Sequence, residues 1–322
     1  METYNKYEKK ASKRYVLFDN ENIISNNNIR YFIDKSIGQG SYSNIFNIQK
    51  SSEKSNIDTK NEIYHPRCIK IFKGTDVYTD FGKREAIMLN KIKDSTFFVS
   101  LSVSFMYQSH FCIITNKYDL NLYQAIKECY LCRNDIKYIS TQILKGLIFL
   151  KEKTIIHGDL KPENILVNHK ENTITSCVIC DFNLAIDLSK SRINSKDSNI
   201  STLWYRAPEI YLDMDYSYEI DMWAFGCILY ELVARTPLFY PRLDNDNNLN
   251  NKRLHEQHLS FIGRCPFETL ENYGILDLSN KIKFNSKIFQ TGFQIIFSKC
   301  IHWEPKKRIL PQEALRIFVD NI

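Results

Sequence analysis

Glycine is scarce in this chain, with only 10 glycines among 322 residues. An average composition holds about twice that share, so the glycines present are expected where a side chain would not fit. Long apolar runs are also lacking, since none approaches the roughly 18 residues that span a bilayer. Residues Met1 to Arg14 are polar and charged, unlike the apolar core of a secretory signal. These absences predict an intracellular protein without a membrane partner.

The chain also lacks a strong excess of charge of either sign. It has 43 lysines and arginines against 37 acidic residues, a formal net charge of +6. Spread over a whole chain, such an excess is typical of a solvated surface. No direct nucleic-acid partner is therefore expected.

Nine cysteines include two CxxC pairs, Cys129/Cys132 and Cys177/Cys180. Zinc sites of this type usually separate their pairs by about 15 to 20 residues, and the separation here is far longer. The second pair also lies in an apolar, strand-like run, where residues three apart face opposite sides. Free thiols are therefore favoured over a zinc site.

The hydrophobic pattern changes along the chain from short β-like runs to long helical periods that begin near Asn121. The β-like runs are Arg30–Ile37, Asn44–Gln49, Arg67–Phe72 and Phe111–Thr115, and the helical stretches are Asp80–Ile92, Asp135–Lys153 and Asp221–Val233. Residues 1–30 are predicted to form a polar arm, and the Asn-rich stretch Arg242–Arg253 an exposed loop. The pattern predicts a small β-rich lobe followed by a larger helical lobe.

Two of the few glycines lie between β-like runs, in Ile37-Gly-Gln-Gly-Ser-Tyr-Ser-Asn-Ile45. Glycine lets backbone N–H groups approach an anion, so this segment is either a phosphate-binding loop or a structural turn. Further along, Lys70 stands inside an apolar strand. A buried lysine is costly unless it is paired, and Glu85 on the following helix is its candidate partner.

A loop between apolar segments concentrates the remaining polar chemistry. It reads Ile155-Ile-His-Gly-Asp-Leu-Lys-Pro-Glu-Asn-Ile-Leu-Val167 and is followed by Cys180-Asp-Phe-Asn183. Mg²⁺ prefers oxygen ligands, typically one or two carboxylates together with phosphates. Asn164 and Asp181 supply such oxygens, which leaves Asp159 for the hydroxyl group that accepts a phosphate.

Together these blocks resemble the eukaryotic protein kinase family, in that family's order. Two further matches follow them, Ala207-Pro-Glu209 and Asp221-Met-Trp-Ala-Phe-Gly226. The resemblance covers residues 31–318 and implies the α+β, bilobal kinase fold, with an N-lobe over about 31–118 and a C-lobe over about 119–318. It implies ATP and Mg²⁺ as cofactors and protein hydroxyls as substrates of a monomeric enzyme.

The resemblance also implies roles for single residues. Lys70 contacts the α- and β-phosphates and pairs with Glu85. Asp159 accepts the proton of the substrate hydroxyl, and Lys161 steadies the γ-phosphate. The residues implied to contact ATP are Ile37, Gly38, Gln39, Gly40, Ser41, Tyr42, Ser43, Asn44, Ile45, Lys70, Thr115, Asn116 and Tyr118. In this alignment Thr115 is a small gatekeeper at the back of the adenine site.

Four other residues are implied to support the site. Asp221 caps the backbone of the catalytic loop, and Glu209 pairs with Arg308 in the helical lobe. Lys161, two residues after Asp159, together with Thr202 resembles the Ser/Thr kinases rather than the Tyr kinases.

The run Thr202-Leu-Trp-Tyr-Arg-Ala-Pro-Glu209 resembles the CMGC group of kinases. A small residue between the catalytic His and Asp, Gly158 here, is found in the DYRK-like branch of that group. Within the branch the chain is most similar to the pre-mRNA-splicing kinases, which implies splicing-factor substrates and a nuclear location. Other DYRK-like kinases and divergent cyclin-dependent relatives are the alternatives.

Several positions depart from the family pattern. Gly158 replaces the usual arginine, Asn199 stands where an activating tyrosine is common, and Leu203 replaces the arginine that would bind its phosphate. Phosphate donor and receptor are thus both absent, which predicts that tyrosine phosphorylation does not activate this loop. Leu203 also weakens the expectation of a strict preference for proline after the phosphorylated residue.

Two further departures raise the alternative of a pseudokinase scaffold that binds nucleotide without transferring phosphate. Asn183 replaces the glycine of the metal motif, and Ser43 occupies the third glycine position of the phosphate loop. Asn tolerates a left-handed backbone, so the turn at Asn183 is expected to survive. Because Asp159 and Asp181 are both present, an active enzyme is the favoured interpretation.

Overall fold

The computed structural model describes residues 22–24, 30–50, 66–128, 131–190, 200–263 and 291–321. The chain forms two compact units, Met1–Tyr118 and Asp119–Ile322. In the described part of the chain, no helix is both long and apolar enough to cross a membrane. Cys129 and Asn199 lie outside the described residues.

The first unit is built on an antiparallel sheet. Its strands are β1 (Asn22–Ile24), β2 (Arg30–Gln39), β3 (Ser43–Lys50), β4 (Arg67–Phe72), β5 (Leu101–Tyr107) and β6 (His110–Asn116), in the order β1-β2-β3-β4-β6-β5. Alternating apolar residues of β2 to β6 form its core, among them Ile33, Phe46, Ile48, Ile69, Ile71, Phe105 and Ile114. The four predicted strands are present, and β4 has the predicted bounds.

The prediction of a polar arm over residues 1–30 is wrong at its C-terminal end. Asn22–Ile24 pairs with Arg30–Phe32 as an edge strand of the sheet. The prediction also misses strand β5, although Leu101, Val103 and Phe105 alternate with two serines in the period of a strand. The three-residue strand β1 is too short to show such a period, and its pairing needs only backbone groups.

Helix α1 (Asp76–Lys91) starts four residues before the predicted Asp80. Thr75 caps it, since the Thr75 hydroxyl accepts a hydrogen bond from the Tyr78 backbone N–H at 3.5 Å. Gly82 permits a close approach of this helix to the sheet, because a Cβ there would lie 2.6 Å from Phe111 Cδ1 and 2.8 Å from Phe72 Cδ2.

The second unit is mainly helical. Its helices are α2 (Leu122–Glu128), α3 (Arg133–Glu152), α4 (Pro208–Tyr211), α5 (Glu219–Ala234), α6 (Asn247–Ile262), α7 (Thr291–Cys300) and α8 (Pro311–Asn321). Its strands are β7 (Leu120–Asn121), β8 (Ile155–Ile156), β9 (Ile165–Lys170), β10 (Thr173–Ile179) and β11 (Ile186–Asp187), paired as β10-β9-β7 and β11-β8. The predicted apolar face of α3 is buried, and α5 is buried on most sides, as expected.

The prediction of an exposed loop over Arg242–Arg253 is wrong in its second half, where α6 begins at Asn247. Asp246 caps this helix through a 2.8 Å bond from the Asn248 N–H. Asn250, Leu254 and His258 recur at a spacing of four and are all buried. Only one of these three residues is apolar, and Asn has a low helix propensity, so the helical period is hidden in the sequence.

The CxxC residues of the described part do not form a thiolate pair. Cys177 is buried in β10, and burial raises the pKa of its thiol to about 12. Zinc binds the thiolate form, which this position disfavours.

His258 of α6 lies in a fully buried aromatic pocket. Its ring centroid lies 4.2 Å from that of Phe239 and 4.8 Å from that of Trp223. The Tyr211 hydroxyl forms a 2.9 Å hydrogen bond with His258 Nδ1. Burial lowers the pKa of His258 well below its ordinary value, and the nearby positive charge of Arg308 acts in the same direction.

We therefore predict that acidification destabilises the fold through His258. The unfolded chain takes up a proton near pH 6.5, whereas folded His258 stays neutral to a much lower pH. Unfolding free energy should fall below pH 6.5 by up to about 1.4 kcal/mol per pH unit from this one group. Urea unfolding between pH 7.5 and 5 measures this slope.

His258→Phe is the control, since it keeps an aromatic ring and removes the titration. Its slope over the same range should be shallower than that of the wild-type chain. The remaining slope reports other groups, including His302, whose pKa is also lowered by burial. Identical slopes for both proteins would contradict the prediction.

Candidate active site

Lys70 and Glu85 form an ion pair in the first unit. Lys70 stands in the middle of β4, opposite Ile45 of β3 and Ile113 of β6. Its Nζ lies 2.7 Å from Glu85 Oε2 on α1. Both side chains are largely removed from solvent, so separating them would leave a buried charge without its partner.

The glycine-containing segment is the connection between β2 and β3. Gly38 pairs with Ile45 and Gln39 with Asn44, and the turn over Gly40, Ser41 and Tyr42 joins them. The Gly40 N–H donates to the Ser43 carbonyl at 2.8 Å, which closes the turn. Ile37 is exposed and Ser43 is buried. The segment is thus a β-hairpin, as an anion-binding loop between strands requires.

Thr115, Asn116 and Tyr118 lie at the C-terminal end of the first unit. Thr115 is opposite Cys68 in the sheet, and the Thr115 Oγ1 and Cys68 Sγ atoms are 3.4 Å apart. The Cys68 thiol also contacts the Asn116 carbonyl at 3.8 Å. Cys68 is two residues from Lys70, so these contacts lie on the same face of β4 as the ion pair.

In the second unit, the buried carboxylate of Asp221 organises the loop that was predicted to be catalytic. Its Oδ2 accepts the His157 N–H at 2.8 Å, and its Oδ1 accepts the Gly158 N–H at 3.0 Å. Complete burial raises the pKa of Asp221, although the two backbone donors oppose that rise. Helix α5 thereby fixes the backbone immediately before Asp159.

Asp159 is held by hydrogen bonds on both carboxylate oxygens. The Thr202 N–H and hydroxyl donate to Oδ1 at 2.8 and 2.7 Å. Lys161 Nζ donates to Oδ2 at 2.7 Å and to the Thr202 hydroxyl at 2.7 Å. Burial alone would lower the pKa of Lys161, but the carboxylate of Asp159 and more distant acids raise it. The three side chains therefore form a closed, charged network.

Asn164 and Asp181, the predicted metal ligands, are placed by the β9-β10 hairpin. Ile165 pairs with Ile179 in that hairpin, and the Cys180 N–H donates to the Asn164 carbonyl at 2.9 Å. The Asn164 amide nitrogen donates to the Asp159 carbonyl oxygen at 2.8 Å, so its amide oxygen is the atom left for a cation. No cluster of three or more His, Cys, Asp or Glu side chains suited to a metal occurs in the described ranges.

This donor set fits Mg²⁺ better than a metal held by protein alone. One carboxylate and one amide oxygen are hard ligands, and Mg²⁺ bound to a nucleotide takes its other ligands from phosphates and water. Lys161 lies within the electrostatic range of Asp181. The residues present are therefore suited to Mg²⁺ on a nucleotide.

The prediction that left-handed backbone occurs at Asn183 is wrong in its position. Asp181 is the residue with positive φ, at 66°, and Asn183 is not among the described residues with that geometry. Phe182 and Asn183 are buried, and the Phe182 ring packs edge-on against His157 at 4.9 Å. The replacement of glycine by Asn183 therefore requires no left-handed backbone at that position.

Gly158 is required by its backbone. Its φ is 78°, and a Cβ there would lie 3.0 Å from the Leu184 carbonyl oxygen and 3.7 Å from the Ile200 side chain. Left-handed backbone favours glycine over other residues. The space where a side chain would begin at this position is thus bordered by the Leu184 carbonyl and the apolar side chain of Ile200.

Sequence reasoning missed the contact that orders the segment after Ile200. Ser201 has a positive φ of 69°, and its carbonyl oxygen accepts hydrogen bonds from Arg206 Nη2 at 2.7 Å and Nε at 3.3 Å. Arg206 Nη1 also donates to Asn251 Oδ1 of α6 at 2.8 Å. The arginine within the apolar run Leu203–Ala207 was the one sequence feature that could have indicated these hydrogen bonds.

Glu209 and Arg308 form a bidentate, fully buried ion pair. Arg308 Nη1 and Nη2 each lie 2.7 Å from a Glu209 carboxylate oxygen. Arg308 also donates to the backbone carbonyls of Glu219 and His302, each at 2.9 Å. The pair thus ties α4 and the start of α5 to the segment before α8.

Comparison with known proteins agrees with this geometry. Residues 31–317 match the family model described as the protein kinase domain, and the chain therefore belongs to the protein kinase family. The predicted α+β kinase fold, with a β-rich first unit and a helical second unit, is confirmed.

Individual relatives indicate the branch. The serine/threonine-protein kinase prp4 of Schizosaccharomyces pombe is 29% identical over 89% of this chain and 66% of its own length. The dual specificity protein kinase YAK1 of Saccharomyces cerevisiae is 32% identical over 70% of this chain and 27% of its own. Homeodomain-interacting protein kinase 1 of Caenorhabditis elegans is 29% identical over 74% of this chain and 27% of its own.

These relatives confirm the predicted DYRK-like branch of the CMGC group. The chain covers 66% of the S. pombe relative and about a quarter of the other two.

The buried Glu209–Arg308 pair yields a stability prediction. Arg308→Leu should lower the free energy of unfolding by about 3–5 kcal/mol, because it leaves the Glu209 carboxylate buried without a partner. Urea unfolding followed by circular dichroism measures the loss.

The exposed Lys299–Glu313 pair, 2.8 Å apart and about half accessible, is the matched control. Lys299→Leu should change the unfolding free energy by less than about 1 kcal/mol. Equal losses of unfolding free energy for the two substitutions would contradict the predicted contribution of the buried Glu209–Arg308 pair.

Proposed function

We propose that this chain is an ATP-dependent serine/threonine protein kinase, which transfers the γ-phosphoryl group of ATP to protein hydroxyls. The observation that carries the proposal is the network around Asp159, in which Lys161 and Thr202 hold the carboxylate from both sides. Membership of the protein kinase family supports the same activity.

In the proposed reaction, Asp159 positions the substrate hydroxyl and receives its proton. The hydroxyl oxygen forms a bond to the γ-phosphorus while the bond from that phosphorus to the β–γ bridging oxygen breaks, and ADP leaves. Lys161 is placed beside Asp159 to stabilise negative charge on the transferred group. Catalysis of this kind consists mostly of positioning and charge stabilisation.

Other residues act on the nucleotide in this proposal. Lys70, oriented by Glu85, donates to the α- and β-phosphates, and the Ile37–Ile45 hairpin covers the phosphates with its backbone. Asn164 and Asp181 would hold Mg²⁺, which when bound neutralises phosphate charge. The donor set described for these two residues supports this assignment.

The proposed substrates are proteins that present serine or threonine. Thr202, hydrogen-bonded to both Asp159 and Lys161, supports the Ser/Thr assignment. Resemblance to the pre-mRNA-splicing kinases supports splicing factors as the substrate class and the nucleus as the location. The proposed active form is a monomer that needs neither nucleic acid nor membrane.

A direct test compares the wild-type chain with Asp159→Asn and Asp181→Asn, using Mg-ATP and a basic protein substrate. Asp159→Asn should lower kcat by about 10² to 10⁴-fold, because a general base contributes that much to rate. Asp181→Asn should also abolish most of the turnover, through loss of a metal ligand.

Asp215→Asn, an exposed residue of the same unit, is the matched control and should keep the wild-type rate. Equal and negligible turnover in all four proteins would contradict the kinase proposal and leave a nucleotide-binding scaffold as the function.

The regulatory proposal is that loop phosphorylation is dispensable. Gly158 has no cationic side chain to clamp a phosphate, and Ile200 rather than a charged residue borders the space where its Cβ would lie. Leu203, buried in the same segment, offers no cation to a phosphate. Phosphatase-treated protein should therefore keep its kcat within about twofold, which is close to no change in activation free energy.

Phosphopeptide mapping of the active protein provides the complementary readout. Loss of turnover on dephosphorylation, restored by a phosphate between residues 188 and 206, would contradict this proposal.

A further inference from the structure

Three aromatic side chains join the tip of the Ile37–Ile45 hairpin, called the glycine hairpin below, to helix α1. The Tyr42 ring centroid lies 4.9 Å from that of Phe81 and 6.2 Å from that of Tyr78. All three rings are partly buried. Tilted aromatic pairs at such separations are favourable beyond the area they bury. Tyr42, Tyr78 and Phe81 are referred to together as the aromatic cluster.

Backbone and charged groups reinforce this contact. The Lys73 N–H donates to the Tyr42 carbonyl at 3.0 Å, which ties the hairpin tip to the segment before α1. Lys73 Nζ lies 5.3 Å from the Tyr78 ring centroid, and the Arg84 guanidinium lies 5.8 Å from that of Phe81. Both cations lie within the range of a cation–π interaction.

The helix that receives Tyr42 also carries Glu85. Phe81 and Glu85 are four residues apart, so they lie on the same side of α1. Gly82 seats the helix on the sheet against Phe72 and Phe111. The position of the hairpin tip is therefore coupled, through one rigid helix, to the carboxylate that orients Lys70.

A hairpin that contains two glycines and few side-chain contacts would lose conformational entropy when it closes over a ligand. A contact that orders the hairpin tip before the ligand binds, here called a tie, reduces that loss of entropy on binding. The contact of the Tyr42 ring with Phe81 and Tyr78 is such a tie.

We propose that the aromatic cluster positions the glycine hairpin for nucleotide binding, with Phe81 and Tyr78 as positioning residues that act through Tyr42. This inference rests on the proposed function, because the ligand it serves is the nucleotide of that reaction. Its sequence basis is an aromatic residue at the hairpin tip together with two aromatic residues three apart on α1.

The test measures ADP affinity by calorimetry and the KM for ATP in Phe81→Leu, which keeps an apolar side chain and removes the ring. Both the dissociation constant for ADP and the KM should rise by about 3- to 10-fold, the range that aromatic pairs contribute, with kcat nearly unchanged. Tyr42→Ala should give a similar rise, and Tyr42→Phe, which keeps the ring, should recover most of the wild-type affinity.

The double variant Tyr42→Ala/Phe81→Leu should bind ADP no more weakly than either single variant, because the two changes remove the same contact. Val77→Ala, an exposed position on α1 outside the cluster, is the control and should leave ADP affinity unchanged. Additive losses in the double variant would overturn the proposal.

Hydrogen exchange in the nucleotide-free chain provides a readout that is independent of activity. Amides of residues 38–43 should exchange about 3- to 10-fold faster in Phe81→Leu than in the wild-type chain or Val77→Ala, because the hairpin tip then opens without the free-energy cost of separating two aromatic rings. Unchanged exchange, or unchanged ADP affinity with folded protein, would overturn the proposal.

The two proposals fail in different ways. If the wild-type chain binds ADP without transferring phosphate, the kinase proposal fails and the ADP affinities still decide the role of the aromatic cluster. If the wild-type chain does not bind ADP, both fail.

Discussion

The loop that leads to Asp159 depends on one buried carboxylate, that of Asp221. It accepts two consecutive backbone N–H groups, from His157 and Gly158. A loop fixed in this way has little freedom at the next residue, Asp159, whose side chain then receives Lys161 and Thr202. Because α5 is buried on most sides, the carboxylate is held by the core of the second unit. The loop that carries Asp159 is itself largely buried, so its conformation is supported by core packing.

The first unit uses a comparable arrangement with opposite charge. Lys70 stands in the centre of an apolar sheet and is neutralised by Glu85 from α1. The same helix is seated on the sheet at Gly82 and contacts the tip of the glycine hairpin through Phe81. A change in the position of α1 would therefore affect the lysine and the hairpin together.

Residue types and their order predict much of the fold and the candidate site, since α3 and β4 carry clear hydrophobic periods and α5 is apolar along most of its length. Features that depend on tertiary context are less visible. Helix α6 is hidden because Asn250 and His258 occupy its buried face, where apolar residues would have shown the period. Residue preference places the left-handed turn at Asn183, whereas Asp181 adopts it. The bonds from Arg206 to the Ser201 carbonyl depend on the positive φ of Ser201, which the arginine in the apolar run Leu203–Ala207 does not predict by itself.

We propose that the Asp221 carboxylate makes Asp159 a competent base by fixing the loop before it. Asp221→Asn keeps the size of the side chain but replaces one acceptor oxygen with a donor group that faces a backbone N–H. The decisive measurement is kcat of this variant beside its ADP affinity, in protein shown to be folded by circular dichroism. We expect kcat to fall by at least about tenfold, since small misplacements of catalytic groups cost up to about 10²-fold, and ADP affinity to change by less than about threefold. A folded Asp221→Asn protein with the wild-type kcat would contradict it.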